Sequence, residues 1–341
     1  MRTLLLRTDV DAHIGSGHLM RCLGIAQAWQ DRGGSVVLVT AGDTASTRLC
    51  REDIESNGLE AQPGSIEDAV KTRDFARRID ADWIITDGYQ FGADYQRAIK
   101  ESGAKLLFID DYGQCDHYYA DIVLNQNFDA NEDLYRRRTP YTRLLLGPKY
   151  ALLRREFLRY RGLKREIPEV GRRLLVTFGG VDYHNMTLKV IQALGLVDVP
   201  GLHAQLAVGR WNPHVQEIRA AIGNLPFGIS LKRDAIDMAA LMAWADLAVS
   251  AAGITVWELA FMGLPSLAVV TSENQRSVAT GADMAGISSS LGWYDRLSSS
   301  ELAERIAHLL KHKEIRERMS RSGQKLIDGD GASRVLAHAT E

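Results

Sequence analysis

His18 directly follows the glycines Gly15 and Gly17, and Arg21 stands three residues further on. If a helix starts here, the imidazole and the guanidinium share one face of its first turn. The two glycines let the backbone approach a ligand closely where that helix begins. A histidine at a helix N-terminus feels the positive end of the helix dipole, which favours the neutral imidazole, and a neutral imidazole is a base. Arg21 would reinforce this and offer a cation for an anionic group. A tight turn with a capping histidine would use the same residues, so the pattern needs company to mean catalysis.

Company is found at the ends of other apolar runs. The run 83–86 leads into Asp87-Gly88-Tyr89, the run 106–109 into Asp110-Asp111-Tyr112, and the run 122–124 into Asn125 and Asn127. Asp, Asn and Gly are ordinary turn formers. Gathered at strand ends, they make a set of acceptors and donors suited to sugar hydroxyl or acetamido groups. In the second half, residues 174–178 run into Gly179-Gly180-Val181-Asp182, a glycine turn whose amides can face a phosphate. Residues 247–249 run into Ser250-Ala251-Ala252-Gly253-Ile254-Thr255-Val256-Trp257-Glu258. A diphosphate on that helix start leaves Glu258 to accept hydrogen bonds from a ribose diol. Asn274 and Gln275, after the run 267–270, close the same pocket. Walker, HExxH and GxSxG motifs are missing from the sequence.

These loops need a frame, and the alternation of apolar runs with helical patterns supplies one. Residues 4–6, 36–39, 83–85, 106–109 and 122–124 read as buried parallel strands, as do 174–178, 204–208, 247–249 and 267–270. Leu19, Cys22, Leu23 and Ala26 have helical spacing, and Ser65 with Asp68 resembles a capping box for a helix ending near Ile79. Further helices are expected at 185–194, 215–222, 235–244 and 255–262. The class is α/β, with two Rossmann-like, doubly wound domains. The Arg- and Lys-rich stretch 154–173 is the linker candidate, and a boundary near Pro168 gives domains 1–167 and 168–341. The helical segment 301–338 could return to the first domain with its last turns.

With 45% hydrophobic and 25% charged residues, the 341-residue chain has material for two ordinary domains. Lys and Arg total 41 against 43 Asp and Glu, a formal charge of -2, which argues against nucleic acid as a partner. Cys22, Cys50 and Cys115 are widely spaced, unlike a disulfide framework or a zinc site. No apolar run suits a signal peptide or a membrane span, so a soluble, cytoplasmic protein without membrane insertion is expected.

Taken together, the loops resemble the nucleotide-sugar hydrolase family typified by the UDP-2,4-diacetamido-2,4,6-trideoxy-β-L-altropyranose hydrolases of pseudaminic acid synthesis (PseG/SpsG). The resemblance covers most of the chain. It runs from Arg7-Thr8-Asp9 and Ile14-Gly15-Ser16-Gly17-His18-Leu19-Met20-Arg21 through Asp87-Gly88-Tyr89, Asp110-Asp111 and Leu124-Asn125-Gln126-Asn127. It continues through 146–154, Phe178-Gly179-Gly180, 250–258 and Asn274-Gln275. The C-terminal half also resembles the lipid II glucosaminyltransferases, so only the N-terminal block separates hydrolase from transferase. Departures fall at Val10-Asp11-Ala12-His13 and at Gly88, where a bulkier residue is the family's pattern.

The resemblance implies a GT-B arrangement, a UDP-sugar substrate and no cofactor. It also implies His18 as the base that activates water, with inversion at the anomeric carbon. Asp9 or Asp87 is expected to orient the imidazole or hold a sugar amide. Gly15, Gly17, Arg21, Tyr89, Asn125 and Asn127 are expected around the sugar. Gly179, Gly180, Ala252, Gly253, Thr255, Glu258, Asn274 and Gln275 are expected around UDP. Helix termini can meet the diphosphate, so no metal is expected. A GT-B glycosyltransferase, a UDP-sugar 2-epimerase and a non-catalytic nucleotide-sugar binding protein are the rival readings.

Overall fold

The computed structural model describes residues 2–10, 16–41, 52–223 and 227–340. Contacts divide the chain into two compact units, Met1–Arg155 with Gly329–Glu341, and Glu156–Asp328.

The first unit is built on a seven-stranded parallel sheet. Its strands are β1 (Thr3–Thr8), β2 (Ser35–Thr40), β3 (Glu55–Gly58), β4 (Trp83–Asp87), β5 (Lys105–Ile109), β6 (Ile122–Asn125) and β7 (Arg143–Leu146), in the order β3-β2-β1-β4-β5-β6-β7. Every expected apolar run is a strand here. Leu5, Ile84, Leu106 and Val123 are fully covered and join one core cluster, as a parallel sheet with helices on both faces requires. The chain winds from β1 outward through β2 to β3, then returns to pair β4 on the other side of β1. That reversal leaves a crevice beyond the ends of β1 and β4, the usual ligand position in such sheets. Register pairs Thr8 with Asp87 and Asp87 with Ile109, so Asp9, Gly88 and Asp110 leave the sheet at one level.

The second unit repeats the plan with β8 (Arg173–Thr177), β9 (His203–Val208), β10 (Gly228–Arg233), β11 (Leu247–Ala251), β12 (Ser266–Val270) and β13 (Ser289–Trp293). All are parallel, in the order β10-β9-β8-β11-β12-β13, with the reversal between β8 and β11. Both sheets thus have the doubly wound topology read from the sequence.

The edge strands β3, β7, β10 and β13 were not expected. The faces of β3, β10 and β13 are only partly buried and their sequences carry Ser, Asn, Lys and Gly, so they lack the apolar run that marks an interior strand, whereas β7 is a short Leu144-Leu145-Leu146 run not singled out in the sequence. Ser65 Oγ accepts from Asp68 N at 3.1 Å, which caps the helix Ile66–Arg78. The Asp68 carboxylate reaches back not to Ser65 N, as a capping box would, but to the preceding Gly64 N at 2.8 Å, and it also takes two hydrogen bonds from Arg7.

The unit boundary corrects the expected one. The units part between Arg155 and Glu156, because the stretch read as a linker is bonded into the second unit. Arg165 donates to the carbonyls of Met242, Ala245 and Met262, and Gln324 donates to that of Leu163. The last helix, Gly331–Thr340, belongs to the first unit and not to the second. Trp83 Nε1 donates to Ala339 O at 3.2 Å and Arg334 Nη1 to Lys149 O at 2.9 Å. Gly331 lies so close to the backbone of Ala151 that a Cβ would sit 2.1 Å from its carbonyl oxygen.

Candidate active site

The helix Gly17–Gln30 starts at the crevice between β1 and β4 and puts His18 in its first turn. Ser16 gives no side-chain cap, and the first turn holds no acid. His18 Nδ1 lies 2.7 Å from Oδ1 of Asp87, the last residue of β4. Asp87 is wholly buried. Burial alone would raise its pKa, but the charge of Arg21 and the contact with His18 outweigh it and bring the carboxyl down to about 2. An ionised acceptor fixes the imidazole proton on Nδ1 and puts the basic lone pair on Nε2. Arg21 Nη2 is also 3.2 Å from Nδ1. Both atoms carry hydrogens in this tautomer, so Asp87 is the imidazole's partner.

Arg21 is the hub of the cluster. Its Nε and Nη2 each donate at 2.6 Å to Asp87, and its Nη1 donates at 2.6 Å to Asp111 Oδ1. Burial disfavours the guanidinium charge, but Asp111 and Asp87 hold its pKa well above the ordinary value. These contacts correct two expectations. Arg21 is 3% exposed and its charge is matched by two carboxylates, so it is not a ready anion-binding group, nor an uncompensated positive charge against His18.

Tyr89 stands beside the imidazole, ring centroids 4.8 Å apart and planes at 81°. Its hydroxyl donates to Asp111 Oδ2 at 2.8 Å. Burial, with the Asp111 charge added, pushes this phenol well above its usual range, so it is neutral. Tyr112 leans on Tyr89 at 5.6 Å and is half exposed.

Other expected sugar-site residues are bonded into the scaffold. Asp9 accepts from Arg7 Nη1, Ala41 N and Gln90 Nε2 and not from His18, so of the two acids expected to orient the imidazole Asp87 alone does. Asn125 is fully buried, donating to Tyr135 OH and accepting from Asn127 N. Asn127 donates to the carbonyl and carboxylate oxygens of Asp111. Asn125 thus has both ends of its amide engaged within the scaffold, and the Asn127 amide nitrogen is taken by Asp111. Gly17 is the first residue of the helix; Gly15 lies outside the described residues.

Asp111 is the central residue, and in the sequence it had no role apart from its neighbour Asp110. The adjacent acids divide the work. Asp110 accepts from Tyr112 N, Gly113 N and Tyr118 OH and builds the turn after β5, which directs Asp111 to Arg21 and Tyr89. An acidic pair at a strand end was the available signal.

In the second unit the expected loops follow β8 and β11, the two strands at the reversal. Gly179 has φ +76°, a left-handed conformation that favours glycine there. Gly180 lies against Gly209, where a Cβ would be 2.3 Å from the Gly180 carbonyl oxygen. Ala252 N donates to Val269 O at 2.9 Å, so this amide belongs to the sheet and is not free for phosphate. Thr255 opens the helix Thr255–Phe261, and Glu258 is 6% exposed in its first turn. Gln275 Oε1 accepts from Thr271 N and Oγ1, and its Nε2 would be 3.8 Å from a Cβ on Gly253. Asn274 Oδ1 accepts from Ser272 Oγ. Among the described residues, no three His, Cys, Asp or Glu side chains converge as a metal ion requires, and no helix is long and apolar enough to cross a membrane.

Comparison with known proteins adds a frame for both units. The glycosyltransferase family 28 C-terminal domain matches residues 231–335. Bacillus subtilis SpsG, a spore coat polysaccharide biosynthesis protein, is 28% identical over 75% of this chain and 75% of its own length. The Campylobacter jejuni UDP-2,4-diacetamido-2,4,6-trideoxy-beta-L-altropyranose hydrolase is 26% identical over 81% of this chain and 94% of its own. The chain is homologous to both proteins. It also matches Methanocaldococcus jannaschii MJ1062, 26% identical over 79% of this chain, but spans only 56% of that longer protein. Acinetobacter baumannii MurG shares the fold over 100% of this chain and 99% of its own, with a TM-score of 0.67 at 15% identity. The fold class is therefore that of the GT-B glycosyltransferases. The family 28 match contains Glu258, Asn274 and Gln275 but not His18, whereas the similarity to SpsG and the hydrolase extends over most of the chain.

Proposed function

We propose that this protein hydrolyses a UDP-linked diacetamido-trideoxy sugar to UDP and the free sugar, in biosynthesis of a pseudaminic acid-type sugar in a bacterial cytoplasm. The observation that carries the reading is the His18–Asp87 pair, which makes Nε2 of a nearly buried imidazole the basic nitrogen, in a chain homologous to such a hydrolase. UDP is a good leaving group, so the reaction needs a base for water and a site for the departing charge but little acid assistance, unlike an ordinary glycoside. His18 Nε2 takes a proton from water as the water oxygen bonds to the anomeric carbon. The bond from that carbon to the diphosphate oxygen breaks, its electrons leave with UDP, and the configuration inverts. Amides at Gly179, Gly180 and Gly253 receive the diphosphate, and Glu258 the ribose. Anabaena Alr3699/HepE, a relative in fold, was solved in complex with UDP-glucose and has a TM-score of 0.64 at 17% identity. Its ligand supports a UDP-sugar here. This chemistry requires no metal.

A transferase reading has its own support in the family 28 domain and the MurG fold: His18 would then deprotonate an acceptor hydroxyl. The test is incubation of wild type and His18→Ala with a panel of UDP-sugars, without acceptor, with and without chelator, followed by NMR. Release of UDP and an inverted free sugar, lost in His18→Ala and indifferent to chelator, is the expected result. Binding without release would overturn the hydrolase in favour of a transferase or a binding protein.

A further inference from the structure

We propose that Asp9 and Gln90 are positioning residues, a clamp across the crevice that holds the Tyr89 ring in place beside His18 and so sets where the sugar lies. The inference rests on the hydrolase reading. Asp9 joins three loops. It directly follows β1, its Oδ1 accepts from Ala41 N just beyond β2 at 2.7 Å, and its Oδ2 accepts from Gln90 Nε2 beyond β4 at 2.8 Å. A buried anchor stands behind it. Arg7 Nη1 donates to Asp9 Oδ1 at 2.5 Å, while Arg7 Nε and Nη2 donate to Asp68 at 3.0 and 2.7 Å, and Arg7 and Asp68 are both fully covered.

The segment after β4 is shaped for this contact. Gly88 has φ +154°, and a Cβ there would lie 2.6 Å from Gln90 Oε1, so the glycine leaves room for the Gln90 side chain to fold back towards Asp9. The Gln90 carbonyl packs on Gly64, where a Cβ would be 2.2 Å from its oxygen, and the buried Phe91 ring lies 5.0 Å from the Arg7 guanidinium. The segment from Asp87 to Gln90 is thus pinned at both ends, by His18 and Arg21 at one and by Asp9 at the other. Tyr89 stands between the pins, its ring 4.8 Å from the imidazole. Where that ring stands sets the room left for a sugar beside His18 Nε2.

The experiment uses the UDP-sugar released fastest by wild type, and compares Gln90→Glu, Asp9→Asn, the double variant and His18→Ala. Gln90→Glu sets a carboxylate against a carboxylate, opens the clamp and should lower kcat/KM by on the order of tenfold to a hundredfold, the scale on which misplaced groups act. Asp9→Asn alone should lose less, because the Gln90 amide can turn its oxygen to the new donor. In the double variant the new amide at position 9 donates to the new carboxylate at position 90, while its oxygen still accepts from Arg7 and Ala41. Most of the lost kcat/KM should therefore return, a coupling of about tenfold between the two positions. Rates are read well below each melting temperature, and UDP alone, measured by calorimetry, should bind each variant as it binds wild type. Gln90→Glu at the wild-type rate, a loss that the second substitution does not relieve, or a loss matched by weaker UDP binding would overturn the proposal. If Gln90→Glu does not fold, Gln90→Met decides, since it keeps the length and removes the amide; wild-type kcat/KM there overturns the clamp. His18→Ala that still releases UDP, or wild type that releases none, would instead sink the hydrolase reading itself. The same cycle, read as affinity for the UDP-sugar relative to UDP, must then show the loss and its return, or the clamp falls as well.

Discussion

Asp87 Oδ1 lies 2.7 Å from His18 Nδ1, joining the last residue of β4 to the first turn of the helix Gly17–Gln30. The parallel register places Asp87 level with Thr8, at the end of β1, and the helix that follows β1 starts over the same sheet end. The pair is thus a product of doubly wound topology. Two strands that reverse the direction of winding open a crevice, and the histidine from one side meets the acid from the other.

Asp87→Asn tests what the carboxylate does for the base. An amide can present its NH2 to Nδ1, which would move the proton to Nε2 and remove the lone pair that receives water's proton. UDP release should fall on the order of 10²- to 10⁴-fold, the range of general base catalysis. UDP binding in the second unit should persist. Steady-state rates near wild type would mean that the imidazole finds its tautomer without Asp87.

The same acid makes stability depend on pH. Its folded pKa is about 2 against an ordinary value of 3.8, lowered by Arg21 and His18 in spite of burial. A depressed carboxyl contributes stability that is complete above the unfolded value and is lost as pH falls through the folded one. The melting temperature of wild type should therefore drop from pH 3.8 towards pH 2, as protons are driven onto Asp87. Asp111, also lowered by Arg21, acts in the same direction. Asp87→Asn should start less stable at neutral pH, and its gap to wild type should narrow in acid. A gap that stays constant from about pH 6 to about pH 2 would remove the Asp87 charge from the account.

Much of this arrangement was legible in the sequence because burial and spacing leave marks there. The apolar runs 83–85 and 106–109 could be read as interior strands, and His18 and Arg21 fell on one helical face. What could not be read was which polar residue each polar residue would find. Asn125 and Asn127 looked like sugar ligands because donors and acceptors at a strand end suit both a sugar and a turn, and in the fold the turn took them. Arg21 looked like an anion site until two acids 66 and 90 positions away met it. Asp110 and Asp111 are chemically identical in the sequence. Their opposite uses follow only from which one the turn leaves facing the crevice.

Arg165 shows the same limit in the second unit and yields a stability test. Its charge-rich neighbourhood reads as a linker, yet its guanidinium donates to the carbonyls of Met242, Ala245 and Met262. Those carbonyls lie at the C-terminal ends of the helices Met238–Trp244 and Thr255–Phe261, where unpaired backbone acceptors and the negative end of the dipole favour a cation. Burial lowers the Arg165 pKa to about 10, so the side chain still carries its charge at neutral pH. Arg165→Ala leaves these carbonyls without that donor and should destabilise the second unit by about 2–4 kcal/mol. Thermal or urea unfolding would measure it, with Lys164→Ala as the control for loss of a neighbouring charge. If the segment were a true linker, Arg165→Ala would unfold with wild type and the boundary would belong further along the chain.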